Sequence, residues 1–172
     1  MDTMAAALAH LEAGDRAGDA DLAARHYRTA CAVLGVEDAS AHVERNDVLA
    51  QLGHPERRLA AYGSLRPGEA HHAEVAHLGG TWRAGAVRGR TVMVASGYEA
   101  LRPSVGAHDP AVAVQVLESP ALPDAWPDLD AFEGPEYHRT LVLVTLDTGQ
   151  RLAAHAYVDA ARATAEPPPA HP

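Results

Sequence analysis

Gly53 and Pro55 divide this chain into two textures, and no other feature limits its fold so strongly. Ahead of them, apolar residues recur at helical spacing; beyond them, β-branched and alternating residues take over. A helical lead followed by a strand-rich body is the pattern of an α+β protein. We therefore expect a small helical segment over residues 1–58 and a sheet-forming domain over 59–160. In the lead, Thr3 is placed to cap a first helix, which the Gly14-Asp15 and Gly18-Asp19 pairs interrupt. Asp19 or Asp21 opens a second helix, with Tyr27, Cys31 and Leu34 on one buried face and Gly35 closing it. Ser40 opens a third, with Val48, Leu49 and Leu52 turned inward.

In the body, Leu59 to Tyr62 reads as a short strand and Thr81 to Ala95 as a longer one that Gly85 and Gly89 bend. Val112, Val114 and Val116 alternate with Ala111, Ala113 and Gln115, giving two largely apolar faces as in a central strand. Tyr137 to Leu146 continues the sheet, and Asp147-Thr148-Gly149 fits a three-residue hairpin loop into Arg151 to Val158. Between these strands, Asp124 to Glu133 is helical, with Trp126, Leu129 and Glu133 on one face and Gly134 at its end. Residues 161–172, rich in proline, are expected to be a disordered tail. The helical lead resembles one tetratricopeptide-like unit but is too short to show a repeat, so packing against the body is its expected role.

Composition bounds the function. With 172 residues, 47% hydrophobic content and no long apolar run, the chain can bury a core but offers no membrane span. The net charge of −9 argues against nucleic-acid binding. All the bases are arginine. Met1-Asp2-Thr3-Met4 carries acid where a secretory leader carries base, which leads us to expect a cytoplasmic protein. The single Cys31 excludes an internal disulfide, and its apolar helical face marks it as core.

Chemistry is offered by few residues. Glu133 falls in the last turn of its helix, on the face of Trp126 and Leu129, where both the helix dipole and burial raise a carboxylate's pKa. Such a group suits general acid-base work; otherwise it is a surface acid paired with Arg139. Tyr62-Gly63-Ser64-Leu65 follows a short apolar strand, and successive N–H groups in such a turn form an anion-binding concavity. Ser64 with one of the histidines lacks the following glycine of a nucleophile elbow. His71, His72 and His77 lack the spacing that puts two ligands on one helical face and read as part of a solvated helix. Gly79-Gly80 lacks the lysine of a phosphate loop. Tyr137 and Tyr157 are placed either to line one pocket or simply to pack in the sheet, and Arg139 to orient Asp130 or Glu136.

Taken together, Tyr62-Gly63-Ser64-Leu65 and the segment Asp130-x-x-Glu133-Gly134-x-x-Tyr137-x-Arg139 resemble the two signature elements of the gamma-glutamylcyclotransferase-like family. The resemblance runs from Leu59 to Val158. It implies a mixed, barrel-like sheet with flanking helices and a cofactor-free, metal-free enzyme that converts a γ-glutamyl amine or peptide to 5-oxoproline and the free amine. Glu133 would be the catalytic acid-base. Tyr62, Gly63, Ser64, Leu65, Tyr137 and Tyr157 would bind the small-molecule γ-glutamyl substrate. The alternative is a non-catalytic module that binds a γ-glutamyl or oxoproline-like ligand while the helical segment contacts a partner.

Overall fold

The computed structural model describes residues 2–36, 43–104 and 108–162. Three helices come first: α1 (Thr3–Asp15), α2 (Ala20–Val33) and α3 (Arg45–Gln51). The cap of α1 is Asp2, whose carboxylate accepts from Ala5 N, one residue ahead of the expected Thr3. Gly14 does not interrupt α1. It lies within the helix because the Tyr27 ring of α2 packs where a side chain would project. Asp19 caps α2 through Leu22 N. The expected opening of the third helix at Ser40 lies outside the described residues; α3 begins at Arg45, with a reciprocal capping box between Glu44 and Asp47.

Six strands follow: β1 (Arg58–Ala61), β2 (Thr81–Met93), β3 (Glu99–Pro103), β4 (Ala111–Glu118), β5 (Tyr137–Leu146) and β6 (Arg151–Asp159). A single turn, α4 (Ala73–Ala76), follows β1, and α5 (Leu122–Glu133) separates β4 from β5. Five strands close a ring in the order β1-β4-β2-β5-β6, with a parallel contact between Leu59 and His155 returning to β1. The sixth strand, β3, pairs with β2 and touches β6 at Leu101 and Val158.

Glycine lets β2 meet two partners in succession. β2 meets β5 at Gly85–Val87 and β3 at Gly89–Met93. A Cβ at Gly85 would lie 2.7 Å from the Thr145 carbonyl oxygen, and Gly89 takes a φ of +145° against the Arg102 backbone.

Period-2 alternation sorts the side chains. Val114, Val116, Val142, Val144, Ala154, Ala156 and Val158 fill the ring interior. On the outside, Leu141, Leu143 and Ala153 meet Leu8, Leu11, Leu49 and Leu52 of the N-terminal helices. Leu59, Ala61, Leu117 and Tyr157 meet Leu122, Trp126 and Leu129 of α5. Strand β6 is therefore covered on both faces from Leu152 to Asp159. Arg58 ties the parts together, donating to the carbonyls of Leu52 and Ala153 and to Glu118. No helix among the described residues is long and apolar enough to cross a membrane.

Candidate active site

A cleft of about 660 Å³ opens where the turn after β1 faces the C-terminal end of α5. All seven residues singled out from the sequence border it: Tyr62, Gly63, Ser64, Leu65, Glu133, Tyr137 and Tyr157. They contribute in different ways.

The turn contributes backbone. Among the described residues, the amides of Gly63, Ser64 and Leu65 donate to no backbone acceptor, while the Gly63 carbonyl accepts from Arg66 N. A Cβ at Gly63 would meet nothing within 4 Å, so the fold itself does not require glycine there. Leu65 sends its side chain into the core beneath α5 and is only 4% exposed. Tyr62 anchors the turn: its hydroxyl donates to Tyr157 O at 2.8 Å and accepts from Leu101 N at 3.0 Å. One side chain thus stitches β1 to both β6 and β3. Burial raises its pKa well above the ordinary phenol value.

Opposite the turn, α5 contributes a carboxylate. Gly134, at φ +76°, ends the helix immediately after Glu133. Glu133 is half-buried, and burial pushes its pKa up to about 7, with no cation or hydrogen-bond donor offsetting the shift among the described residues. Pairing with Arg139, the competing expectation, does not occur. Arg139 instead makes a two-pronged bond to Asp130 at 2.8 and 3.1 Å and lies 4.5 Å over the Trp126 ring. This arginine holds the Asp130 carboxyl below its ordinary range. Asp130 also accepts the Tyr157 hydroxyl at 2.7 Å, so Tyr157 faces the cleft with its proton already committed to α5. Burial and that bond raise the Tyr157 pKa.

The remaining wall comes from the β2–β3 connection. Ser96, Gly97, Tyr98 and Glu99 line it, and Glu136 fixes it by accepting Ser96 N at 3.1 Å. The Tyr137 hydroxyl donates to Glu99 O at 3.3 Å, and burial, followed by the nearby Glu133, raises its pKa.

The structure corrects one expectation. His71 and His72 do not belong to a solvated helix; both turn back to the Tyr62–Leu65 turn. The His71 ring Nδ1 lies 3.0 Å from Ser64 Oγ, and His72 Nδ1 3.1 Å from Leu65 O. His71 also borders the cleft and rests edge-on against Phe132 at 5.3 Å. Neither histidine joins a metal cluster: among the described residues no three His, Cys, Asp or Glu side chains are grouped to hold an ion. The signal that could have pointed to His71 was its seven-residue distance from Ser64 across a Pro-Gly turn. A Pro-Gly turn, not a helix, spans that distance, so periodicity did not reveal the contact.

No curated protein sequence matches the chain. Among solved structures it is similar to YkqA from Bacillus subtilis, with 24% identity over 60% of this chain and 35% of that one, at a TM-score of 0.47. It is similar to At3g28950.1 from Arabidopsis thaliana, with 20% identity over 62% and 63% of the two chains and a TM-score of 0.47. An AIG2-like protein from Mus musculus gives 21% identity over 64% and 80%, again at 0.47. The chain thus spans about a third of the Bacillus protein and under two thirds of the Arabidopsis one. The sequence profile of the gamma-glutamyl cyclotransferase, AIG2-like family matches residues 59–171, well over half of the chain. With a closed ring of strands, and the turn and helix end that carry both motifs facing one cleft, the chain belongs to the gamma-glutamyl cyclotransferase, AIG2-like family.

Proposed function

We propose that the protein cyclises γ-glutamyl amines or peptides to 5-oxoproline with release of the amine. The observation that carries this reading is a half-buried carboxylate, Glu133, with a pKa raised to about 7, bordering one cleft with turn amides that, among the described residues, donate to no backbone acceptor.

The substrate contains both reacting groups. Its α-amine attacks its own γ-carbonyl carbon, so holding the folded-back conformer brings nucleophile and electrophile together without a covalent enzyme intermediate. The amides of Gly63, Ser64 and Leu65 are donors for the glutamyl group and for the oxyanion that forms as the carbonyl becomes tetrahedral. Glu133 takes the proton that the attacking nitrogen sheds. A carboxylate with a pKa near neutrality accepts that proton far more effectively than an ordinary one, and it is the first candidate to return a proton to the departing nitrogen. The C–N bond to the leaving amine then breaks as the lactam carbonyl re-forms.

The test is incubation of the purified full chain with a panel of γ-glutamyl amines and γ-glutamyl dipeptides, with 5-oxoproline measured by chromatography. Formation of 5-oxoproline in proportion to enzyme is the expected result. Binding of the same compounds, detected by calorimetry, without any 5-oxoproline would make the protein a ligand-binding module instead.

A further inference from the structure

The cleft contains a second proton-bearing assembly that the single-carboxylate scheme leaves unused. Ser64 lies on the turn that would hold the scissile carbonyl, and its Oγ is 3.0 Å from His71 Nδ1. Both side chains are half-buried and both border the same cleft as Glu133. The imidazole is seated by its edge contact with Phe132 and by the bond from His71 N to Ser64 O. Its position is thereby fixed to the turn and to the residue preceding Glu133 at once.

We propose that Ser64 and His71 form a proton relay to the leaving nitrogen, so that Glu133 serves the attacking amine and the turn serves the departing one. This rests on the cyclotransfer reading above. As the C–N bond breaks, its electron pair goes to the leaving nitrogen, which takes the Ser64 hydroxyl proton. Ser64 Oγ is reprotonated by the Nδ1–H of His71 as the ring Nε2 takes a proton from solvent, and the ring returns to its starting tautomer by exchange with solvent. Glu133 loses to solvent the proton it took from the α-amine, so charge and protons balance over the cycle. An alkylamine cannot leave as an anion and needs that proton; an anilide whose nitrogen carries a strongly withdrawing ring needs it far less.

Leaving-group dependence therefore tests the relay. The full-length wild type, His71→Gln and Ser64→Ala are assayed for kcat and KM on γ-glutamyl-n-butylamide and on γ-glutamyl-4-nitroanilide. Each variant is expected to lose about a hundredfold or more in kcat on the butylamide, the usual size of a general-acid contribution, and less than about threefold on the nitroanilide. The double variant should be no slower than either single one, because both remove the same path. Equal losses on the two substrates would reduce the pair to a structural tie, and unchanged turnover of the butylamide would remove it from catalysis. Should His71→Gln fail to fold, Ser64→Ala decides the matter alone, since it leaves the turn backbone in place. Failure of the relay leaves wild-type 5-oxoproline formation intact, whereas absence of 5-oxoproline from the wild type on both substrates overturns the cyclotransfer reading and the relay with it.

Discussion

Replacing the Glu133 carboxylate by an amide, Glu133→Gln, keeps the side-chain volume but removes the ability to accept and return a proton. Turnover is expected to fall by about a hundred- to ten-thousand-fold, with substrate affinity by calorimetry far less affected. Glu136→Gln is the matched control, because its role is to accept Ser96 N and an amide oxygen can still do so. Retention of more than about a tenth of the wild-type rate by Glu133→Gln would assign the base elsewhere. The same residue sets a pH signature: the acidic limb of kcat/KM should fall off with an apparent pKa of about 7. Its effect on stability has the opposite slope. Because the folded state raises this carboxyl from its ordinary 4.5 to about 7, it favours the protonated form; the associated stability is complete below pH 4.5 and is lost as pH rises through 7. Melting curves from pH 5 to 8 should show Glu133→Gln gaining on the wild type as pH rises. The gain is bounded at about 3 kcal/mol and reduced by solvent screening of a half-exposed group.

Strand β2 depends on two positions where another backbone comes close. Gly85→Val would drive a Cβ to 2.7 Å from Thr145 O and 3.0 Å from Leu146 Cα, neither of which can swing aside. A loss of about 2–3 kcal/mol is expected in denaturant unfolding, while Gly18→Ala, facing open space, should leave the midpoint unchanged within about 0.5 kcal/mol. Elements of this kind also show what the sequence could reveal. Strand β5 was legible from Tyr137 to Leu146, and the hairpin that follows it from Asp147-Thr148-Gly149, because alternation and turn chemistry are local properties. Helix α5 was legible to within two residues, starting at Leu122 where Ser119 Oγ accepts Ala121 N. Strand β3 was not. Glu99–Pro103 has only Ala100 and Leu101 to bury, and its place is set by pairing with β2 and by the distant Tyr62 hydroxyl. The same physics hid His71, whose partner Ser64 is brought near by a turn and not by any periodicity. Within the candidate site, the turn and Glu133 could be read because each stands in a local motif; the wall built from Ser96 to Glu99 could not.

At the scale of the whole molecule, the N-terminal helices and the cleft occupy different sides of the ring. The cleft is lined by residues from Leu59 onward, whereas α1 to α3 cover Leu141, Leu143 and Ala153. Deleting residues 1–52 is expected to lower the melting temperature by several degrees, with loss of the Arg58 bond to Leu52 O and of the ion pair between Asp2 and Arg151, while kcat on a responsive γ-glutamyl substrate stays within about threefold. Abolished turnover in a folded truncation would make the helices part of the pocket. Their cover on the ring has a further consequence for how the chain behaves in a crowded solution. Stripped of it, the strand face around Leu141 would present a greasy panel beside the exposed ends of β5 and β6, and such panels seek one another out. The helical lead thus acts as a colloidal shield: light scattering from the truncated chain should rise with concentration, while the intact protein stays dispersed.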